Sequence, residues 1–503
     1  MNTYPIFRLA IFLAVGIFFA ETIQLEAGHW PMLLMLCLLV ALGLLLKTVP
    51  YAYRWMFGAG VSLFMILAGM VLTDMAWKEV KVDWKSEKAT YKGVVQESIQ
   101  EKERTYQCWV TVADKDVLLY LPKDSLSASL RVADELFFYT RIEPPRNTYL
   151  YRKGVSGTAY VPADAWKNVG RCTEMSLKQK ALALRERLVK KYREWGVGEE
   201  QMPVLSALTL GYKGDLDKET RQNYSVAGIS HILALSGMHV GIVWLLMDGL
   251  LGLFLCGRFN VLRCVVVILL LWAFAFLVGL EASVVRAVVM CMLLGVGRLS
   301  ESRPPAMNSL GVAAFFMLLY HPFYLYDVGF QLSFVAVASI LILYPLFFPL
   351  VPVKNRWGKK AWEVMAISMS AQLGTAPLVM YYFSSFSVYF LLTNLVVSIL
   401  VPFIIGLAFL MVVVSPFDGV RWLVVGALDG MVSLLNGMAG WTSGLPYSSI
   451  SFSVLNPMEV VVSYVVLAFG TAYWRTGSKV WLIRVLVAVV CLLLLHLCGL
   501  CFG

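Results

Sequence analysis

Long apolar runs constrain this chain more than any other feature of its sequence. Three of them open the protein, at about residues 7–25, 30–47 and 54–76. Each approaches the roughly 20 apolar residues that a helix needs to cross the hydrocarbon core of a bilayer. Only 15% of the residues are charged and the mean hydropathy is +0.72. This composition is typical of a polytopic α-helical membrane protein and excludes an ordinary soluble one.

The second half of the chain predicts about ten more spans. We place them at 229–256, 261–280, 283–298, 306–320, 328–350, 362–382, 387–414, 420–440, 457–474 and 480–500. The segment 283–298 is short for a bilayer, so a re-entrant helix is an alternative to a span there. The first run of the chain lacks a small-residue cleavage site, so we expect a retained span rather than a signal peptide.

Basic residues between the runs predict the orientation. They fall on one side of the membrane if the N-terminus is cytoplasmic: Lys47, Arg54, Arg258, Arg263, Arg298, Arg303, Lys354 to Lys360, Arg421, Arg475 and Lys479. Because Lys and Arg collect in cytoplasmic loops, we expect this orientation, with the long polar section outside. The same bias explains the net charge of +10, and attraction to a polyanion is the alternative explanation.

Changes in polarity divide the chain into four parts. These are N-terminal transmembrane helices (1–77), a β domain (78–175), an amphipathic helical linker (176–228) and a transmembrane helix bundle (229–503). Five short runs rich in Val, Tyr, Thr and Phe predict the strands of the β domain. A small extracytoplasmic β-barrel of the OB type is our first choice for it, and a sandwich is the alternative. The linker helix predicts either a solvated connection or a helix on the membrane surface.

The nine cysteines show no metal-binding spacing, and most lie in apolar runs, so we expect no metal site and no cofactor. Only Cys108 and Cys172 fall in the polar section. If that section is extracytoplasmic, the two can form a disulfide, and separate thiols are the alternative.

Polar residues inside apolar runs are the main functional signal. The stretch "ISHILALSGMHVGIVWLL" carries His231, Ser236 and His239, and the Ser236-Gly237 pair between the histidines can open a helix. Other polar residues in such runs are Glu281, Arg286, Asn308, Asp327, Gln331, Gln372, Asn394 and Asp429. A group of this kind is costly in hydrocarbon, so it tends to face a bundle interior or a wet path.

These residues allow several interpretations. The histidines could hydrogen-bond neighbouring helices, and Ser236 with His239 could form a nucleophile pair, although no orienting acid is evident. A zinc site would need further ligands. Arg286 could pair with Glu281, and Asp327 could cap a helix start. A pore or packing junction is the remaining interpretation.

Six stretches follow one another along residues 200–410: "LSALTLGYKGDLDKETRQNYSVAG", "AGISHILALSGMHVG", "SVVRAVVM", "NSLGVAA", "HPFYLYDVGFQLSFVAVASI" and "QLGTAPLVMYYF". Taken in this order, they resemble the ComEC family of competence membrane proteins. The stretch "NTYLYRKGVSGTAYV" also resembles the end of the family's N-terminal barrel domain.

The resemblance implies a channel component in the bacterial inner membrane that takes up single-stranded DNA during natural transformation. In this hypothesis one set of residues forms or braces the DNA path without a catalytic role: His231, Ser236, Gly237, His239, Arg286, Asp327, Gln331 and Gln372. In the barrel, aromatic side chains are candidates for stacking on bases, with ordinary barrel packing as the alternative: Tyr91, Tyr106, Trp109 and Tyr120.

The sequence also departs from the family. Ala282 stands where the family often has Pro. The sequence contains no His-x-His-x-Asp-His pattern, so we do not expect the metallo-β-lactamase-like domain that longer relatives carry. We therefore expect no enzymatic activity, and expect a separate nuclease and a cytoplasmic DNA helicase or motor as partners. Two other functions stay open. One is a membrane-embedded enzyme that uses Ser236 and His239 on a lipid or cell-wall precursor. The other is an ion-coupled small-solute transporter.

Overall fold

A computed structural model describes most of the chain. It covers residues 4–23, separate helical positions between 31 and 43, and residues 54–172, 174–255, 259–299, 305–451 and 455–502. The predicted span at 30–47 lies mostly outside the described residues, and so do Lys47, Arg258 and Arg303. The chain divides into two compact units. One consists of Met1–Lys191 and Met247–Asp327, and the other of Tyr192–Leu246 and Val328–Gly503.

The first unit begins with two apolar helices, α1 (Pro5–Ile23) and α2 (Arg54–Val80), close to the predicted runs. They pack backbone against backbone at glycines. A Cβ atom on Gly16 would lie 2.0 Å from the carbonyl oxygen of Ile66, and one on Gly69 would lie 2.4 Å from that of Leu13. Small residues of this kind allow close helix packing in a membrane, where apolar burial gives little driving force.

A small mixed sheet follows α2. Its strands and short helices are β1 (Ala89–Val95), β2 (Gln100–Glu101), β3 (Thr105–Val112), β4 (Lys115–Pro122), α3 (Ser125–Ala128), β5 (Asp134–Thr140), α4 (Thr148–Arg152), β6 (Val155–Tyr160) and β7 (Trp166–Arg171). The order is β6-β4-β3-β1-β5-β7, with β2 paired to β3. Only the β4–β6 pair is parallel. Alternate residues such as Val110, Leu119 and Phe138 form its core.

The sheet has seven strands, so the prediction of five was incomplete. The five predicted strands are present as β1, β3, β4, β5 and β6. They correspond in that order to the runs "ATYKGVVQESI", "TYQCWVTVAD", "KDVLLYLPKD", "DELFFYTRIEPP" and "VSGTAYVPADAW". Strand β7 was missed because nearly all its residues are exposed and it lacks the alternation that marks a half-buried strand. Strand β2 has only two residues.

The amphipathic helix predicted at the start of the linker is present as α5 (Leu177–Glu194). Leu182 packs on Val132 and Ala133 of the β domain, and Glu186 accepts a hydrogen bond from Ser98 at 2.8 Å. The leucines Leu177 and Leu184 are exposed. The face of α5 that carries Leu182 is therefore covered by the β domain. Contact between another face of α5 and a membrane surface stays a prediction.

The predicted span at 229–256 is not one helix. Within that range the chain forms the single turn α8 (Ser230–Leu233) and the helix α9 (Gly237–Gly252). Two helices precede them, α6 (Met202–Leu210) and α7 (Lys218–Val226). Three non-helical residues, 234–236, separate α8 from α9. The correction follows from local chemistry, because Ser and Gly favour helix ends over helix interiors.

The remaining spans agree with the predicted runs to within a few residues at most ends. They are α10 (Asn260–Leu277), α11 (Ala282–Leu299), α12 (Ala306–Tyr320), α13 (Val328–Phe347), α14 (Arg356–Phe383), α15 (Phe390–Val413), α16 (Asp418–Ser443), α17 (Pro457–Thr476) and α18 (Lys479–Phe502). Between α14 and α15, strand β8 (Ser385–Ser387) pairs with β9 (Ser449–Ser451). The segment predicted as short or re-entrant is a continuous helix of 18 residues, α11.

Ten helices among the described residues are long and apolar enough to cross a membrane. The apolar helices α9 and α12 are shorter, at 16 and 15 residues. In the first unit α12 packs tightly on α1. A Cβ atom on Gly311 would lie 2.4 Å from the Cα atom of Phe7, and Asn308 accepts a hydrogen bond from the Ile6 amide at 3.2 Å.

Helix α16 carries a polar stripe that bonds to the segment around α6 and α7. Asp429 accepts from the Gly198 amide at 3.2 Å, and Asn436 accepts from the Tyr224 hydroxyl at 2.7 Å. Ser433 accepts from Gln201 at 2.8 Å, and Ser443 donates to Asn223 at 2.9 Å. These four bonds explain why polar residues recur along one face of an otherwise apolar span.

Candidate functional site

The helix break between α8 and α9 forms the centre of the candidate site. Ala234 ends α8 in an extended conformation, and Gly237 is the first residue of α9. Ser236 therefore stands at the N-cap position of α9, which serine favours. The prediction that the Ser236-Gly237 pair opens the helix is confirmed.

His239 fixes the start of α9. Its Nδ1 atom lies 3.2 Å from the backbone nitrogen of Ser236 and 2.9 Å from the Ser236 hydroxyl. A backbone amide can only donate, so Nδ1 is the acceptor and the proton of the neutral ring is assigned to Nε2. This bond corresponds to one of the two bonds of a capping box, the one in which a side chain of the first turn accepts from the N-cap amide, with histidine in place of the usual Glu.

The other edge of the His239 ring is buried and faces no partner. The residue is 1% exposed, and Nε2 has no hydrogen-bonding partner among the residues that the structure describes. A buried N–H without a hydrogen-bonding partner costs about 1–3 kcal/mol, so a water molecule or a ligand that accepts from Nε2 would be stabilised there. His239 therefore both holds the helix break and presents one N–H of unassigned use.

The turn before the break is fixed against α15. Gly228 has a φ of +77°, and a Cβ atom there would lie 2.8 Å from the Ser387 side chain and 2.9 Å from that of Phe390. The hydroxyl of Thr393 donates to the carbonyl of Ala227 at 2.8 Å. His231 follows on α8, reaches the surface, and hydrogen-bonds to the backbone of Gly228. This packing explains why only glycine fits at 228.

The other predicted path residues lie in both units. In the second unit, Gln331 on α13 accepts from the hydroxyl of Tyr382 on α14 at 2.9 Å, and Gln372 is half-buried on α14. In the first unit, Arg286 is buried on α11, and Asp327 lies 3.7 Å from Lys153 directly before α13. The structure thus brings Ser236 into contact with His239 and Gln331 with Tyr382. A common path for all eight residues stays a prediction.

A partly buried ionic cluster in the first unit was not predicted. Glu21 at the end of α1 accepts from Arg152 of α4 at 2.7 Å and from the indole of Trp77 of α2 at 2.7 Å. The Arg152 guanidinium also lies 4.2 Å from the centre of the Tyr326 ring. We call these four residues the Glu21 cluster. It attaches the β domain to the apolar helices, and its one sequence signal was an acidic residue ending an apolar run.

The four aromatic candidates in the β domain occupy two faces of the sheet. Tyr91 and Tyr106 pack against the core, and the Tyr91 ring lies 5.9 Å from that of Phe138. Trp109 and Tyr120 are partly buried on the opposite face, where Trp109 pairs with Leu118. Tyr91 and Tyr106 thus take part in ordinary core packing. A role for any of the four in binding DNA stays a prediction.

Cys108 and Cys172 are separate thiols in the structure, so the disulfide considered from the sequence is not formed there. Cys108 points into the core of the sheet and is 0% exposed. Burial, with a smaller contribution from Asp134, raises the pKa of the Cys108 thiol to about 12. The thiolate of Cys108 is therefore nearly absent at ordinary pH.

Maleimide should label Cys172 and leave Cys108 unmodified in the folded protein. A pKa of about 12 leaves about one thiolate in ten thousand at pH 8, and the fraction rises only as the pH approaches that pKa. Peptide mapping by mass spectrometry, with and without denaturant, measures both sites, and denaturation should expose Cys108. Labelling of Cys108 in the folded protein at the rate of Cys172, or blockage of both thiols until a reductant is added, would contradict this.

Among the described residues, no group of three or more His, Cys, Asp or Glu side chains could hold a metal ion. Among the described residues, His231 and His239 are therefore not joined by a third His, Cys, Asp or Glu side chain that could complete a zinc site.

The apolar helices and the inserted sheet define a multi-pass membrane protein. The family described as "Competence protein" matches residues 208–477, a region that contains the helix break. The chain belongs to this family of competence proteins, the ComEC family.

Two curated relatives are similar to it. "ComE operon protein 3" of Bacillus subtilis (strain 168) is 30% identical over 261 residues, which cover 51% of this chain and 31% of that protein. An uncharacterized protein of Aquifex aeolicus (strain VF5) is 31% identical over 226 residues, which cover 45% of this chain and 50% of that protein. The chain thus matches half or less of the length of these relatives. No solved structure matches the chain.

Proposed function

We propose that this chain is a component of an inner-membrane channel that takes up single-stranded DNA during natural transformation. The observation that carries the proposal is the helix break at 234–236, which lies inside the region matched by the competence family. Broken helices with polar residues line substrate paths in other membrane proteins. A hydrophilic polymer needs such a wet path through apolar helices.

In this proposal the path residues divide into two roles. Ser236, Gly237 and His239 set the geometry of the break, while His231 reaches the surface beside it. The remaining polar residues form or brace the path at other helices, without a bond-making role: Arg286, Asp327, Gln331 and Gln372. The N-terminus would be cytoplasmic and the β domain extracytoplasmic, as the basic loops predict.

The β domain would receive the strand outside the membrane. We propose that it is a partly open Greek-key barrel of the OB type. Strand β1 pairs with both β3 and β5, and β4 pairs in parallel with β6. A bridge between Glu143 and Thr158 links the chain after β5 to β6. Domains of this type hold single strands by basic groups and stacking aromatics.

A deletion strain tests the proposed function. Removing the gene should abolish delivery of labelled DNA to the cytoplasm and reduce transformants to background, while DNA still binds the cell surface. A complementing copy should restore both, and an insertion-competent copy with residues 229–239 scrambled should not. Normal transformation in the deletion strain would exclude the proposal.

One contact favours a second function. The Ser236 hydroxyl lies 2.9 Å from His239 Nδ1, a distance suited to a nucleophile and its base. However, Nδ1 already faces the Ser236 amide, and Nε2 has no orienting acid among the described residues. Accumulation of a lipid or cell-wall precursor in the deletion strain, with normal transformation, would favour the enzyme.

A further inference from the structure

Strand β5 presents aromatic rings to solvent on its outer side. Leu136 and Phe138 point into the core and are each 1% exposed, whereas Phe137 is 41% exposed and Tyr139 is 52% exposed. The two outward residues are two positions apart on a strand, which places their rings about 7 Å from each other on one face. Neighbouring exposed aromatics on one strand are uncommon on a solvated surface and indicate a binding surface.

Basic residues flank these rings. The register places Phe137 opposite Lys92 of β1 on one side and opposite Lys167 of β7 on the other. Lys92 also pairs with Glu135 at 3.0 Å, and Lys167 is exposed. Two more exposed basic residues, Lys88 and Arg141, adjoin the end of the β1–β5 pair. We call Lys92, Phe137, Tyr139 and Lys167 the aromatic face.

This face is not where the β domain meets the apolar helices. Among the described residues, those contacts include Arg152 of α4 with Glu21, Lys153 with Asp327, and Lys115 at the start of β4, which donates to the carbonyl of Glu79 at 2.6 Å. Strands β5 and β7 take part in none of these three contacts. The rings of Phe137 and Tyr139 therefore remain available to a ligand while the β domain is attached.

We propose that the aromatic face is the site where the β domain binds single-stranded DNA, with bases stacked on Phe137 and Tyr139. Lys167 and Lys92 would bind the flanking phosphates. This rests on the proposed function and assigns it to residues other than the four aromatics singled out in the sequence. Tyr91 and Tyr106 are partly buried and their rings pack against the core, which leaves less ring surface for a base than at Phe137 and Tyr139. Base-to-ring stacking on a sheet tolerates any sequence, because every base has a π-face.

Binding of a fluorescent oligodeoxythymidylate of about 16 nucleotides, a site size that OB domains reach, tests the face. The full-length protein is used in nanodiscs of neutral lipid. The double variant Phe137→Ala/Tyr139→Ala should bind at least about tenfold more weakly, since each stacked base contributes about 1–3 kcal/mol. The variant Phe137→Tyr/Tyr139→Phe keeps both rings and should bind like the wild type. Tyr149→Ala, at a 49% exposed ring on α4, is the matched control and should also bind normally.

The proposed contacts between the lysines and the DNA phosphates are tested separately, by the salt dependence of the binding affinity. Lys167→Gln should lower the slope of log affinity against log salt concentration by about one, as expected for the loss of one phosphate contact. Lys180→Gln on α5 removes an equally exposed positive charge away from the face and should leave the slope unchanged.

The outcomes separate the inference from the function on which it rests. If the wild type does not bind the oligonucleotide, the proposed function loses its support. If the wild type binds and Phe137→Ala/Tyr139→Ala binds equally well, the aromatic face is excluded while the function stands. A 5-iodouracil oligonucleotide that cross-links to Trp109 or Tyr120 and not to the face would also exclude it. A nitroxide spin label attached at Phe137→Cys reports which medium surrounds the face. Relaxation of the label by oxygen dissolved in the lipid, without relaxation by a water-soluble nickel chelate, would show that the face lies in the bilayer and would exclude the proposal.

Discussion

Replacing His239 with alanine should reduce transformation to the level of a deletion strain without removing the protein from the membrane. The side chain supplies the acceptor for the Ser236 amide at the start of α9. Without it, a partly buried donor loses its partner at a cost of about 1 kcal/mol, and the break can relax. The apolar residues that direct insertion are unchanged, so the amount of membrane-inserted protein should be normal. Transformation frequency and immunoblots of membrane fractions measure the two effects.

A second substitution distinguishes the role of the Nδ1 atom of His239 from that of its Nε2 atom. His239→Gln can accept from the Ser236 amide through its side-chain carbonyl oxygen, as Gln does in a capping box, but its amide N–H groups do not occupy the position of the imidazole Nε2 proton. Partial recovery would assign His239 a positioning role, and no recovery in a folded protein would assign the role to the Nε2 edge. Met238→Ala, at the exposed neighbour, is the control and should transform normally. Wild-type transformation by His239→Ala, at equal protein level, would contradict the site.

Replacing Glu21 with alanine should destabilise the first unit by about 3 kcal/mol. Breaking a buried ion pair leaves its partner uncompensated, which costs about 3–5 kcal/mol. We expect a cost at the lower end of this range because the side chain of Arg152 is 29% exposed, whereas that of Glu21 is 9% exposed. The indole N–H of Trp77 loses its acceptor as well. Thermal unfolding of the purified protein, followed by tryptophan fluorescence, measures the loss.

A matched control for this prediction lies on α2. Lys78 pairs with Asp74, but its side chain is 68% exposed, so Lys78→Ala should leave the unfolding temperature unchanged. The double variant Glu21→Gln/Arg152→Gln leaves no unpaired charge and should be less destabilised than Glu21→Ala. If Glu21→Ala unfolds at the same temperature as Lys78→Ala, the Glu21 cluster does not hold the β domain in place.

Features set by near neighbours in the chain could be predicted. Most apolar runs became helices, because length and composition decide whether a segment can cross a bilayer. The contact between Ser236 and His239 joins residues three apart and follows from helix geometry. The opening at Ser236-Gly237 was foreseen as well, although the span was drawn as one segment from 229.

Features set by distant pairs could not be predicted. Glu21 and Arg152 are separated by 131 positions, and a single sequence does not reveal such a partner. The aromatic face was missed for a related reason. Tyr91 and Phe137 look alike in a strand, and only the pleat and the register decide that one ring packs inward and the other lies outside. Strand β7 escaped notice because its residues carry no apolar alternation.

The stripe on α16 has a consequence for the order in which the chain is made. Its partners at Gln201 and Tyr224 are synthesised more than 200 residues earlier, at separations of 232 and 212. Until α16 has been synthesised, those groups lack the partners that they have in the folded chain. A nascent chain that is released before residue 429 would therefore expose this segment to proteases, and quality control would recognise an unfinished molecule there.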